Sequence, residues 1–403
     1  MSFRLMSAEN WPTASQRLLL RAALREREAA LNAWDEWQAH NDINALDHAS
    51  FFILPQLFLN LRRLGAQHPG MEMLRGIYRY AWCKNQKATR SFVEVLRLFE
   101  ESGIETILLK GAPLVLFHYR DLGARLMNDV DLLIREADLP AATALLRDSQ
   151  WNLTKPLPPD DFLPFVHAAA YTHAKWLELD LHWRAFTVDC PPDAEARLWD
   201  RVLRRDVWGL AVCVPDPTDL LLLTCYHGRK GDVHTACRWV IDATMLIENA
   251  QPPIDWNALL ERAGQTGLLA PLRDALTFLR QEFDAAVPDD VLQRAWSVPS
   301  TTEDRTRYEK LLSGFHLRGL SLWGLLAFHW TRYAGVRRGR GQRAGLFGFA
   351  QYLLAFHQWN FQVGRRWQVP FVMMARLVGR LRRRIMAGAE RRRPTVASGG
   401  GTS

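Results

Sequence analysis

The sequence predicts an α+β protein: a small mixed sheet bearing carboxylates, flanked by helices and lengthened by helical segments at both ends. Three observations predict this. Apolar residues recur every three to four positions from Ala14 to about Glu100. Between Ile104 and Val214 the texture changes to short leucine- and valine-rich runs separated by turn residues. After Pro215 the helical period returns and continues to about Met386.

Taken in order, residues 1–95 are expected to be helical. SQRLLLRAALREREAALNAWDEWQ, FFILPQLFLNLRRLG and GIYRYAWCKNQKATRSFVEVLRLFEESG share one period, and Gly103 closes the last as a C′ glycine. The core spans 96–215. IETILLKG reads as a buried strand, APLVLFHY as a short helix, RLMNDVDLLI as a second strand and DLPAATALLRDSQW as a helix. WNLTKP, AKWLELDLHWRAF and VWGLAVCV supply three further candidate strands. A second helical region spans 216–390 and begins with PTDLLLLTCYHGRKG, capped by Asp216 or Thr218. HTACRWVIDATMLIENA and WNALLERAGQTG follow, with Arg/Gly-rich breaks later around VRRGRGQRAG. Residues 391–403, RRRPTVASGGGTS, are a low-complexity tail expected to be disordered.

Composition narrows the class. A chain of 403 residues with 48% hydrophobic and 23% charged residues can bury a sizeable core, in two or three domains or in one with large helical additions. Sixteen tryptophans suit half-buried helix interfaces, where the ring packs and the N–H finds a partner. The five cysteines are scattered and form no CxxC, which argues against a disulfide framework and a zinc site. MSFRLMSAENWPTASQR has no apolar core of a secretory signal, so a cytoplasmic location is expected.

The net charge of +8 is concentrated: eight Arg and one Glu between Arg376 and Arg393 supply +7, leaving the remainder near neutral. A basic tail is not a basic groove, and long nucleic acid is not the expected partner. Within this segment Met374, Leu377, Val378, Leu381 and Ile385 form one stripe opposite arginines. Such a helix either packs on the protein's own body or makes peripheral contact with an anionic membrane. The most apolar run, GLSLWGLLAFHW at 319–330, falls short of the ~20 residues a span requires and reads as a buried or interfacial helix.

The chemistry is expected at NDVDLLI. On a strand, Asp129 and Asp131 project to one side about 7 Å apart at Cα, while Val130 and Leu132 point into a core. Two such carboxylates are a solvated edge unless a cation lies between them. With open positions they suit Mg²⁺ shared with substrate phosphates. Strict alternation in Trp176–His182 puts Glu178, Asp180 and His182 on one face, so either Asp180 or Glu178 can supply a third carboxylate.

The ordered set of a strand ending Lys110-Gly111, then Arg125, Asn128-Asp129-Val130-Asp131-Leu132-Leu133, then Leu179-Asp180-Leu181-His182-Trp183 resembles a poorly characterised bacterial nucleotidyltransferase family of the polymerase-beta-like superfamily. Its glycine turn resembles "LLKG" and its third acid sits in "DLHW". ESGIETILLKG, His227 and RWVIDATML also look similar, and the resemblance covers roughly residues 75 to 250. It implies a nucleotidyltransferase core in which two Mg²⁺ ions, held by Asp129, Asp131 and Asp180, promote attack of an acceptor hydroxyl on the α-phosphate of an NTP. Asp180 is the matched third acid and a candidate general base. Where the superfamily usually has Gly-Ser or Gly-Gly, this chain has Gly111-Ala112. The triphosphate would then rest on backbone N–H groups and Lys110, with Arg125 steadying it or pairing with the acids. His182 would orient Asp180, contact the acceptor or serve structurally. His227, Arg229 and Lys230 either line the cleft or simply answer a helix C-terminal dipole, and Asp242 reads as a helix-packing polar residue. The rival reading is a non-catalytic nucleotide-binding or scaffold protein that retains the fold.

Overall fold

The computed structural model describes residues 10–174, 178–186, 192–230, 237–313, 321–376 and 378. Seven strands form one mixed sheet: β1 Thr106–Leu109, β2 Asp129–Ile134, β3 Asn152–Leu153, β4 Ala168–Thr172, β5 Glu178–His182, β6 Leu203–Val207 and β7 Leu210–Val214. Their spatial order is β3-β4-β5-β2-β1-β7-β6. β2 pairs parallel with β5 and β1 parallel with β7, and the other neighbours are antiparallel. Helices cover both faces and extend the chain at both ends of the sequence, so the structure has the α+β architecture the sequence predicts.

Strand alternation divides the molecule into two cores. Val130, Leu132 and Ile134 of β2, with Leu179 and Leu181 of β5, pack against Phe92 and Phe99 of the helix Met71–Glu101 and against Tyr333 and Tyr352 near the C-terminus. Leu133, with Ile107 and Leu109 of β1, faces the other way. There it joins Leu220–Leu223 of the helix Pro217–Arg229, Val240 of Arg238–Asn249, and Trp34 and Trp37 of Arg27–His40. Asp129 and Asp131 alternate in phase with Leu133, so they stand on this second face.

Several elements differ from the sequence reading. The first helical segment is two helices, Ala14–Leu24 and Arg27–His40, and Asn60 closes the break by donating to Ala22 O and Arg25 O, both at 2.8 Å. VWGLAVCV is not one strand: Trp208 and Gly209 both take positive φ, 53° and 78°, and form the two-residue hairpin turn between β6 and β7. The apolar alternation runs through that turn, which hid it. β4 is AAAYT, whose alanines carry little strand propensity. It forms because the neighbouring β5 supplies four cross-strand partners. Gly103 ends the long helix with φ 72°, and Asp216 caps Pro217–Arg229 by accepting from Asp219 N at 2.7 Å, both as expected. The 319–330 run contributes to the helix Leu322–Gly339, where Trp323 is 79% exposed. Among the described residues no helix is long and apolar enough to cross a membrane. Most of the basic amphipathic stripe and the whole 391–403 tail lie outside the described residues.

Candidate metal and nucleotide site

The site begins at the end of β1. Lys110 turns the chain with φ 51° and ψ −111°, a conformation that a side-chain-bearing residue holds at a cost of order 1–3 kcal/mol. The turn feeds the short helix Gly111–Pro113, which continues as a π-helical turn, Leu114–Tyr119. Lys110 Nζ thereby reaches Asp131 Oδ1, and His182 Nε2 meets the same oxygen at 2.9 Å.

The parallel register puts Asp131 beside Asp180 and Asp129 beside Glu178. Ligand atoms of Asp131, Asp180 and His182 all lie within 4.8 Å of one another. These three fit a divalent cation. Two carboxylates and an imidazole converge, and the ammonium of Lys110 pairs with Asp131 beside them. The electrostatics agree. Burial would raise Asp131, but Lys110 and His182 outweigh it and hold the carboxyl well below the usual range. For Asp180 burial, with the charges of Asp131 and Asp129, outweighs the opposing charge of Lys110 and pushes it up to about 6. A cation there would relieve that repulsion.

Burial and the charge of Lys110 lower His182, against Asp131. Its Nε2 faces both Asp131 Oδ1 and Lys110 Nζ, and the ring's tautomer sets whether it donates to the carboxylate or offers a lone pair to a cation. Lys110 Nζ approaches that nitrogen at 3.3 Å. The remaining nitrogen, Nδ1, is buried without a partner among the described residues.

Asp129 lies outside the three-residue group, on the half-buried rim. Beside it is Lys84 of the helix Met71–Glu101, whose Nζ donates to Asn128 Oδ1 at 2.7 Å and feels the charges of Asp129 and Glu178. Glu178 is exposed, Asp180 half-buried and His182 buried, a gradient running along one strand face into the protein.

Residues 52–284, more than half of the chain, match the family described as "Uncharacterised nucleotidyltransferase". The chain belongs to that family. No curated protein matches it. Among solved structures, the antibiotic-resistance factor ANT(2'')-Ia is similar over 41% of this chain and 84% of its own, at 11% identity and a TM-score of 0.29. An antigenic nucleotidyltransferase-like protein from Paracoccidioides brasiliensis is similar over 51% and 92%, at 18% identity and a TM-score of 0.36.

In this nucleotidyltransferase family member Arg125 is placed differently from the sequence expectation. Its guanidinium forks onto Asp242 of the helix Arg238–Asn249, not onto the acids or an open cleft. It is 6% exposed and packs against Gly111, where an added Cβ would lie 2.6 Å from Arg125 Nη1. Asp242 is therefore the partner of a buried ion pair. Residues 122–127, which deliver β2, are fastened by Asn85. Its amide donates to Leu122 O and Arg125 O at 2.6 Å, and its oxygen accepts from Met127 N at 3.1 Å.

Sequence reasoning passed over Lys84, Asn85 and His167. Asn85 and Thr89 sit four apart on the buried face of the long helix, and that polar pair in an apolar stripe was the available signal. His167 precedes β4 and its ring lies 5.6 Å from that of His182. His227 is half-buried, and its Nε2 is buried and unpartnered among the described residues. Burial drives it well below its usual range, and Lys230, Lys110, His182 and His167 are near enough to add to this. The helix Pro217–Arg229 thus brings His227 to the Lys110–His182 side of the sheet. Arg229 instead donates to Tyr308 Oη and Asn10 O.

Proposed function

We propose that this chain transfers an NMP from an NTP to the hydroxyl of an acceptor and releases pyrophosphate. The observation that carries this reading is the convergence of Asp131, Asp180 and His182 on two adjacent parallel strands beside the Lys110-Gly111 turn. Asp131 and Asp180 would hold Mg²⁺, with Asp129 at the open side as a further carboxylate. Bound there, the metal supplies charge neutralisation for the phosphates and acidifies the acceptor hydroxyl. The remaining work falls to the chain's own groups. Lys110, released from Asp131, offers its ammonium to the phosphates as a point charge, and Lys84 stands at the rim beside Asp129 to do the same. Arg125 supports the turn from beneath through Gly111. The acceptor oxygen forms a bond to the α-phosphorus as the bond to the β-phosphate oxygen breaks. The hydroxyl proton passes to a carboxylate, for which Asp180 is the candidate.

The test pairs binding with transfer. Purified protein and its Asp131→Asn variant are incubated with a cell lysate, Mg²⁺ and each α-labelled NTP in turn, and labelled products are resolved by mass spectrometry. The expected result is one labelled product class that the variant fails to make, with an NTP- and Mg²⁺-dependent thermal shift in the wild type. A thermal shift without any label transfer would favour a non-catalytic nucleotide binder, and the absence of both would overturn the proposal.

A further inference from the structure

A cavity of about 610 Å³ opens beside the β6–β7 edge, two strands away from Asp131. It lies between the Leu114–Tyr119 turn, the hairpin, and the chain just beyond Asn249. Three basic side chains line it: His118, Arg120 and Arg205. No carboxylate is among the lining residues, which are otherwise apolar apart from Gln251. The π-helical turn sets His118 into this wall, and such turns recur at functional sites. Arg120 ends the turn in the left-handed region, φ 55° and ψ 19°, a conformation that glycine would take more readily. Arg205 Nη2 donates to Gln251 O at 2.7 Å, which anchors its guanidinium in the same wall.

His118 is 7% exposed, and its Nδ1 has no hydrogen-bond partner among the described residues. A buried polar atom without a partner is costly. The rest of the ring stands in the wall that Arg120 and Arg205 also line. Burial, with the charges of Arg205 and Arg120, holds the imidazole down at about 4, so the ring is neutral near pH 7. An oxyanion in this cavity would accept from both guanidiniums beside the neutral imidazole.

We propose that this cavity is a second ligand site, for a small phosphate or carboxylate carried on a compact apolar body, held by Arg120, Arg205 and His118. Phe117, Pro217 and Pro252 supply the apolar wall for that body, and the volume suits a small molecule. The site shares no residue with the Asp131–Asp180–His182 group and sits at the far end of the helical segment that starts at Gly111.

Calorimetric titration with phenyl phosphate, benzoate and neutral benzyl alcohol tests this, in EDTA and without nucleotide, so the outcome does not depend on transferase activity. The expected result is saturable one-to-one binding of an anionic probe and none of benzyl alcohol. The stronger of phenyl phosphate and benzoate identifies the anionic group. Arg120→Gln and Arg205→Gln should each weaken binding about tenfold, while Asp131→Asn should bind as the wild type does. Arg120 is exposed, so its variant decides the matter even where Arg205→Gln disturbs the hairpin. The proposal is overturned by no anion binding at millimolar concentration, by equal binding of benzyl alcohol, by unchanged affinity in Arg120→Gln, or by loss of binding in Asp131→Asn.

Discussion

Arg125 clasps Asp242 across 117 positions of sequence, Nε donating to Oδ1 at 2.7 Å and Nη2 to Oδ2 at 3.0 Å. Tyr119 donates to the same Oδ1 at 2.7 Å. Burial opposes the charge on Arg125, yet Asp242 more than compensates and leaves the guanidinium firmly protonated. The clamp joins three pieces that the site depends on: the helix Arg238–Asn249, the turn that ends at Tyr119, and the approach to β2.

Breaking the clamp should therefore be a folding lesion. Asp242→Asn leaves a buried guanidinium without its counter-charge and is expected to cost about 3–5 kcal/mol, read as a lower urea midpoint. Arg125→Met combined with Asp242→Leu should recover much of that loss, because both charges leave together. An unchanged midpoint in Asp242→Asn would show that the pair does not support the fold.

Gly111→Ala probes the turn above the clamp. The added methyl meets Arg125 Nη1 at 2.6 Å, and Asp242 prevents that guanidinium from moving aside. A loss of about 1–3 kcal/mol is expected, with transferase activity falling as Lys110 is displaced. Wild-type stability and turnover together would mean that the turn has room to spare.

The carboxylates should rank by their place in the group. Asp180→Asn removes a group within ligand distance of Asp131 and His182, and should slow transfer by at least two orders of magnitude, roughly 3 kcal/mol in the transition state. Glu178→Gln changes an exposed carboxylate beside Asp129, so its rate should stay close to wild type. Mg²⁺ titration should show weakened binding in the Asp180 variant alone. The reverse order would place the metal toward the rim.

Glu195 provides a pH test outside the Asp131–Asp180–His182 group. Burial pushes its carboxyl up to about 7, although it accepts from Ala185 N at 2.9 Å. Because the folded value lies above the unfolded one, the native state holds the proton more tightly. Stability should then fall as pH rises from about 4.5 to about 7. Glu195→Gln keeps an acceptor oxygen and cannot ionise. It should be more stable than wild type at pH 8, by about 1–3 kcal/mol, with the gap closing at pH 5. A gap of equal size at both pH values would remove ionisation as the cause.

The local pattern of the sequence determined the strand carrying Asp129 and Asp131, the alternation that sets Glu178, Asp180 and His182 on one face, the strand ending at Lys110, the cap at Gly103, and a helix start at Asp216 or Thr218. Each depends on a period or a turn residue within a few positions, which the sequence displays directly. Tertiary structure decided the rest. The parallel β2–β5 register selected Asp180 as the neighbour of Asp131 and left Asp129 beside Glu178. Packing of distant helices gave Arg125 to Asp242 and brought His227 to the Lys110–His182 side, and pairing with β5 made a strand of the alanines in β4. These outcomes turn on which buried charge finds which partner among residues tens to hundreds of positions apart. No local period encodes that choice, because desolvation and pairing energies exist only once the chain has closed around them.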